Sequence, residues 1–144
     1  MSSSQAICAS FAQELLTATH DFSVAGDTFK MALYSSSATL NVSTTAYSAT
    51  NEIAGTNYTA GGASLTNVAP VASGAGAYCS FADASWAALT ATGIRYGLIY
   101  NSSKSNKSVV VLDFGFDKSS TAQTFQVTMP AAGLNTAIIR IGTS

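Results

Sequence analysis

Hydrophobic residues near the start of the chain recur at a helical spacing. Ile7, Phe11 and Leu15 follow one another every four residues, which places their side chains on one face of an α-helix. The pattern predicts a short helix over residues 5–18. Because a helix of this length is marginally stable alone, we expect it to dock on the sheet of its own subunit or on a neighbouring molecule.

The rest of the chain carries the patterns of β-strands. Over residues 28–34, Phe29, Met31 and Leu33 alternate with other residues and share one face, as in a strand with one buried side. Val109–Leu112 is a continuous apolar run, typical of a strand buried on both faces. Further strands are predicted over residues 65–71, 77–83, 95–100, 107–114, 122–129 and 136–141.

Polar or glycine-rich stretches separate the predicted strands. They include Gly61-Gly62 and residues 73–76, 101–106 and 117–120, which have the composition of turns. Seven or eight short strands with this spacing and one N-terminal helix predict an all-β fold, an antiparallel β-sandwich or jelly roll. The length of 144 residues predicts a single domain over residues 1–144.

Two segments of this domain are expected to reach outward. The first is an N-terminal helical arm over residues 1–22, and the second is a long loop over residues 35–62 that is rich in Ser, Thr and Ala. An irregular segment of that length is uncommon in a compact domain and is usually functional or disordered. We therefore predict that residues 35–62 form a contact loop.

The surface is expected to carry little charge. Only 9% of the residues are charged, against roughly 25% in an ordinary domain, while 47% are hydrophobic. Charge normally keeps protein surfaces apart. A surface made instead of hydroxyl, methyl and amide groups is suited to packing against other protein, which favours an assembly or binding role.

The charge distribution and hydropathy also limit the possible partners and locations. A net charge of −1 with scattered basic residues predicts no binding to nucleic acid or to an anionic membrane. No segment approaches the roughly 20 apolar residues of a membrane span. The N-terminus lacks the positive region of a secretion signal, so we expect the protein to be made in the cytoplasm.

Few residues offer catalytic or metal-binding chemistry. His20 and Asp21 are adjacent, but the chain lacks the G-x-S-x-G motif of many hydrolases, and we interpret His20 as a histidine favoured by the dipole at a helix C-terminus. Asp83, Asp113 and Asp117 lack the spacing of an EF-hand loop and are interpreted as turn residues. The sequence predicts no catalytic residue, no metal site and no cofactor, and an enzyme is not expected.

Three residues leave alternatives open. Cys8 and Cys79 could form one disulfide, although two buried free thiols are the favoured interpretation. Trp86 stands among several tyrosines and phenylalanines. It could belong to the core, to a protein interface or to a platform that stacks on sugars.

Several stretches of the chain, in order, carry a family resemblance. They are residues 26–34 (GDTFKMALY), 44–53 (TTAYSATNEI), 55–62 (GTNYTAGG) and 111–115 (VLDFG), together with the N-terminal stretch Phe11–Leu16. These stretches resemble a family of small virion proteins of tailed bacteriophages. The resemblance spans most of the chain and implies a structural protein of the capsid cement or decoration type. It implies no catalytic residues in this chain.

A cement protein of this kind would lie on the surface of the phage head. The resemblance implies that it binds the outside of the shell of major capsid protein, stabilises the head and associates with itself as a dimer or trimer. The alternative is a tail or receptor-binding β-sandwich module that binds glycans. The residues we expect at a capsid or oligomer interface are Ile7, Phe11, Leu15, Tyr47, Asn51, Ile53 and Tyr58.

Overall fold

Two antiparallel sheets and one short helix account for the regular structure of residues 5–142, the part of the chain that the computed structural model describes. The elements are β1 (Ala6–Ile7), α1 (Ala9–Leu16), β2 (Phe29–Tyr34), β3 (Ala63–Ser64), β4 (Asn67–Ser73), β5 (Gly76–Phe81), β6 (Ala84–Asn101), β7 (Lys107–Val127) and β8 (Ile139–Ile141). The larger sheet has the order β1-β7-β6-β2-β3, and the smaller has the order β4-β5-β8. The all-β prediction is confirmed, whereas this strand order does not establish a jelly roll.

The two sheets share one hydrophobic core. Phe29 of β2 and Phe81 of β5 come from different sheets, and their ring centroids lie 5.5 Å apart. Phe22, from the segment that precedes β2, stacks on Phe29 at 4.4 Å. Burying one such side chain contributes about 1.5–3 kcal/mol, so these rings are a main source of the attraction between the sheets.

The hairpin of β6 and β7 is longer than the sequence pattern predicts. The two strands contain 18 and 21 residues, and the turn predicted over residues 117–120 is wrong, because Lys118 and Ser120 pair with residues of β6. Register shifts interrupt the pairing, and Gly93 and Gly115 have positive φ angles. Bulges of this kind bend a strand without ending it, so polar and glycine-containing segments continue the hairpin.

The N-terminal segment is part strand and part helix. Ala6 and Ile7 form β1 and pair with Val111 and Val110 of β7, and α1 begins only at Ala9. The prediction of one helix over residues 5–18 is therefore wrong at both ends, because the edge of β7 draws residues 6–8 into the sheet. Residues 5–22 of the predicted arm contribute buried side chains to the core, and residues 1–4 lie outside the described part.

The predicted loop over residues 35–62 is irregular and lies against the larger sheet. Isolated bridges link Ala46 to Lys107 and Thr56 to Thr90, and Ala38, Leu40 and Ile53 are buried. Pro70 lies in β4, at the edge of the smaller sheet, as predicted from its missing N–H group.

Candidate interaction surface

An open cleft lies where β1 and α1 of the N-terminal segment face β8 and the segment before it. Its volume is about 610 Å³, and its lining comes from β1, α1, β7, Pro130 and residues 136–141. Three of the predicted interface residues, Ile7, Phe11 and Leu15, line this cleft. The structure therefore brings these three residues together in the lining of one cleft.

These three residues are exposed to different extents. Ile7 is 40% exposed, whereas Phe11 is only 1% exposed. The ring of Phe11 packs edge-on against Phe22 at 5.8 Å, and Leu15 is half-buried. The structure places Phe11 in the core, because the inner face of α1 must cover the sheet, and leaves Ile7 and Leu15 within reach of a partner.

A smaller apolar pocket adjoins the cleft. It has a volume of about 140 Å³, and residues that line it include Leu15, Phe22, Tyr78 and Ile139. Leu16, the residue next to Leu15, is 89% exposed. The helix α1 ends at Leu16, and the side chain of this residue lies at the surface.

The other predicted interface residues lie on residues 35–62 around a half-buried carboxylate. Glu52 accepts hydrogen bonds from the hydroxyls of Tyr58 at 2.6 Å and Tyr47 at 2.7 Å, and from the backbone N–H of Gly61 at 2.8 Å. The Tyr58 hydroxyl also accepts the N–H of Leu33 in β2 at 2.9 Å. Burial, reinforced by the nearby carboxylate, raises the pKa of Tyr47 and Tyr58 well above the ordinary value.

Further contacts hold the same segment on the sheet. The Tyr100 hydroxyl donates to the carbonyl of Gly61 at 2.7 Å, and the N–H of Ile53 donates to Leu33 at 3.0 Å. A side chain at Gly62 would overlap the carbonyl of Met31. Tyr47, Ile53 and Tyr58 therefore stabilise the domain itself, and Ile53 is buried in the core instead of lying at the surface.

Asn51 is the exposed member of the four predicted interface residues in this loop. Its backbone has a φ of 63°, in the left-handed region that asparagine tolerates better than most residues. Its side-chain amide donates to the carbonyl of Ser37 at 3.0 Å. Asn51 therefore shapes the loop locally while its surface remains accessible to a partner.

A buried polar cluster that the sequence does not predict surrounds His20, whose side chain is 0% exposed. Its Nε2 lies 3.2 Å from Glu14 Oε1, and its Nδ1 lies 3.0 Å from Asn101 Nδ2. Asn101 is oriented by the N–H of Ser103, which donates to Oδ1, and by Asp27, which accepts from Nδ2 at 2.8 Å. The amide NH₂ of Asn101 therefore faces Nδ1, while Nε2 faces the Glu14 carboxylate.

The cluster continues to a lysine at the start of β7. Lys107 Nζ lies 2.6 Å from Glu14 Oε2. Burial alone would raise the pKa of Glu14, but the hydrogen bonds with Lys107 and His20 outweigh it and hold that pKa below the ordinary value. Through Glu14, Asn101 and Lys107, the cluster connects α1 to the ends of β6 and β7. Asp21, the neighbour of His20 in the sequence, instead accepts a hydrogen bond from the N–H of Ser23 at 2.9 Å.

The aspartates considered as metal ligands also bind their own domain. Asp113 Oδ1 accepts from Arg95 Nε at 2.9 Å and from the N–H of Gly115 at 2.8 Å, and Asp83 accepts from the N–H of Met129 at 2.7 Å. Among residues 5–142, no group of three or more His, Cys, Asp or Glu side chains is placed to hold a metal ion.

The alternatives left open for the cysteines and the tryptophan are resolved by burial. Cys8 and Cys79 are both free and buried, and burial raises the pKa of Cys79 to about 11. Trp86 is buried against Phe125 and Tyr58, with ring centroids 6.0 Å and 6.5 Å away. All three side chains belong to the core.

Comparison of this chain with protein-family models, with curated proteins and with solved structures finds no match. In the described part of the chain, no helix has both the length and the apolar character that a membrane crossing requires. The resemblance to phage virion proteins therefore stays a prediction from the sequence.

Proposed function

We propose that this protein is a structural component of a tailed-phage virion, a decoration protein that binds the outside of the major capsid protein shell and stabilises the head. It acts by burying surface against its partner. The stretches over residues 26–34, 44–53, 55–62 and 111–115, which resemble small virion proteins, are the basis for the virion assignment.

The observation that carries a binding role is a group of exposed apolar side chains around the cleft, on a chain with very few charges. Ile7, Leu16 and Ile141 are 40%, 89% and 60% exposed, and Leu15 lines both the cleft and the adjoining pocket. Removing apolar area from water contributes about 25 cal/mol per Å². Covering this surface with another protein would therefore be favourable, as expected for a subunit that is held in an assembly.

The use of the polar side chains supports the same role. His20 and Glu14 connect the helix to the sheet, and Glu52 holds a long loop in place through two tyrosines. The hydrogen bonds of these groups are made within the domain and hold its elements together. A rigid domain that presents a preformed surface loses little conformational entropy on binding, which suits a protein that must hold a shell together.

The role is tested by removing the protein from the particle and restoring it. Heads that lack the protein should release their DNA at a lower temperature than complete heads, and added purified protein should restore the original temperature. Equal release temperatures with and without the protein would contradict a stabilising role. Recovery of the protein only with purified tails would contradict the head location and favour the glycan-binding tail module.

A further inference from the structure

We infer that the cleft binds an extended peptide segment of another protein, which lies as an added strand between β1 and β8 and places an acidic side chain beside Arg140. Such a segment supplies what the walls of the cleft lack: backbone partners for two strand edges, apolar side chains and one negative charge. The inference rests on the proposed binding role and names the chemistry of the segment that is bound.

The outer edge of β1 offers backbone groups to such a segment. β1 is an edge strand of the larger sheet. The N–H of Cys8 donates to the carbonyl of Val109 in β7 at 3.0 Å, and the hydrogen bonds of an antiparallel pair involve every second residue of a strand. The N–H and C=O of Ile7, the preceding residue, therefore point away from β7. Because Ile7 lines the cleft, a peptide in the cleft can reach both groups.

The edge of β8 offers the same groups from the other wall. Ser73 and Gly76 flank the two-residue turn between β4 and β5, and the residues that flank such a turn are hydrogen-bonded to each other. By the same alternation, Tyr78 directs its backbone groups toward β4. Arg140 stands opposite Tyr78 in β8, so its N–H and C=O point away from β5. Arg140 also lines the cleft.

Neither edge is paired by the domain itself. Within residues 5–142, no hydrogen bond joins the outward N–H or C=O of Ile7 or Arg140 to another residue. An unpaired strand edge is a template for another strand, and in strand addition the main-chain hydrogen bonds provide the affinity. The ligand that satisfies both edges is therefore an extended polypeptide.

The size and lining of the cleft suit a short segment better than a globular surface. Its volume of about 610 Å³ lies in the range of roughly 300–1,000 Å³ that is usual for ligand pockets. Phe11 and Ile139 in the lining are 1% and 5% exposed, so only a slender ligand can contact the interior. Leu15, Val110 and Leu112 also line the cleft, and alternate side chains of an extended peptide, which point to one face, would pack on them.

The side chain of Arg140 gives the cleft a preference for an acidic segment. Arg140 is the one charged residue in the lining of the cleft, and no carboxylate among residues 5–142 forms an ion pair with it. Its Nη1 donates to the carbonyls of Asn135 and Ala137. The other donors of the guanidinium remain available, and hydrogen bonds from arginine to a carboxylate are among the strong ones.

The test selects peptides from a random library on the purified protein and measures the binding of synthetic copies by calorimetry. Peptides of about eight residues are used, since they span roughly 26 Å when extended. The selected sequences should alternate apolar and polar residues and contain Asp or Glu.

Ile7→Pro tests the edge of β1. Proline removes the outward N–H and is tolerated at an edge where that group faces solvent, so the pairing with β7 should persist. Binding of the selected peptides should weaken by at least about fivefold, as expected for one lost hydrogen bond. Ile7→Val keeps the N–H and should bind as the wild type does. Circular dichroism checks that both variants are folded.

A double-mutant cycle tests the charge of Arg140. Replacing the acidic residue of a selected peptide by its amide should weaken binding to the wild type about threefold, and should leave binding to Arg140→Met unchanged. Lys30→Met is the control, because Lys30 also forms no ion pair with residues 5–142 and lies outside the lining of the cleft. This variant should bind the peptide as the wild type does.

Three results would overturn the inference. They are a selection that yields no binding peptide, peptides whose binding neither Ile7→Pro nor Arg140→Met weakens, and an equal loss of binding in Lys30→Met. Because the measurement contains no phage particle, its failure leaves the virion role to be decided by the particle experiments.

Discussion

Glu52 shows how one side chain can fix the course of a long loop. Each of its two carboxylate oxygens accepts a tyrosine hydroxyl, and one of them also accepts a backbone N–H. In the sequence, Glu52 stands among Ser, Thr and Ala residues, and nothing in the pattern links its carboxylate to Tyr47 or Tyr58. The sequence therefore leads to the prediction that Tyr47 and Tyr58 lie at an interface. Only the folded structure shows that both hydroxyls donate to the same carboxylate.

At the residue scale, we expect Tyr58→Phe to destabilise the protein. The change removes the hydroxyl that donates to Glu52 and accepts from the N–H of Leu33, and leaving such partners without a hydrogen bond costs about 1–3 kcal/mol. Urea denaturation measures the free energy of unfolding of the variant and the wild type.

The control for this prediction is Tyr78→Phe, since Tyr78 is half-buried in β5 and takes no part in the Glu52 contacts. Its free energy of unfolding should stay within about 0.5 kcal/mol of that of the wild type. An equal decrease in the free energy of unfolding of the two variants would show that the Glu52 contacts do not hold the loop in place.

At the scale of elements, the ends of α1 could not be read from periodicity. The spacing of Ile7, Phe11 and Leu15 fits a helix. In the folded protein, however, residues 6–7 are stabilised by pairing with β7 as a strand. Helix propensity is a weak preference that tertiary hydrogen bonding overrides. The buried run Val109–Val111 has no such ambiguity, which is why a central strand there is predicted correctly.

The cluster that connects α1 to the sheet should make stability depend on acid pH. Because the pKa of Glu14 is lowered in the folded protein, its carboxylate contributes stability above the ordinary pKa of a glutamic acid, and this contribution is lost as the pH falls through the lowered value. The free energy of unfolding should therefore decrease as the pH is reduced below about 4.5. In Glu14→Gln, the decrease should be smaller.

Two lysine variants separate this effect from a general loss of charge. Lys107→Met removes the cation 2.6 Å from Glu14 and should also reduce the acid dependence. Lys118→Met removes a cation from the same strand that lies over the ring of Phe116 instead, and should leave the dependence unchanged. An acid profile of Glu14→Gln identical to that of the wild type would refute a role for this carboxylate.

At the scale of the whole molecule, composition and alternation are sufficient to predict an all-β domain with two antiparallel sheets. They do not predict the His20 cluster, because Glu14, His20 and Asn101 are distant in sequence and meet only after folding. The cleft is equally hidden, since its lining comes from both ends of the described chain. What the sequence does indicate is a surface with little charge, and the exposed apolar residues around α1 agree with it.

The central claim is that this protein coats a phage head, and its copy number in the purified virion tests that claim most directly. Quantitative gel densitometry or mass spectrometry of whole particles gives the ratio of this chain to the major capsid protein. A decoration protein predicts a ratio near one, or a simple fraction set by the symmetry of the shell, with the protein recovered in purified heads. A handful of copies per particle would contradict it.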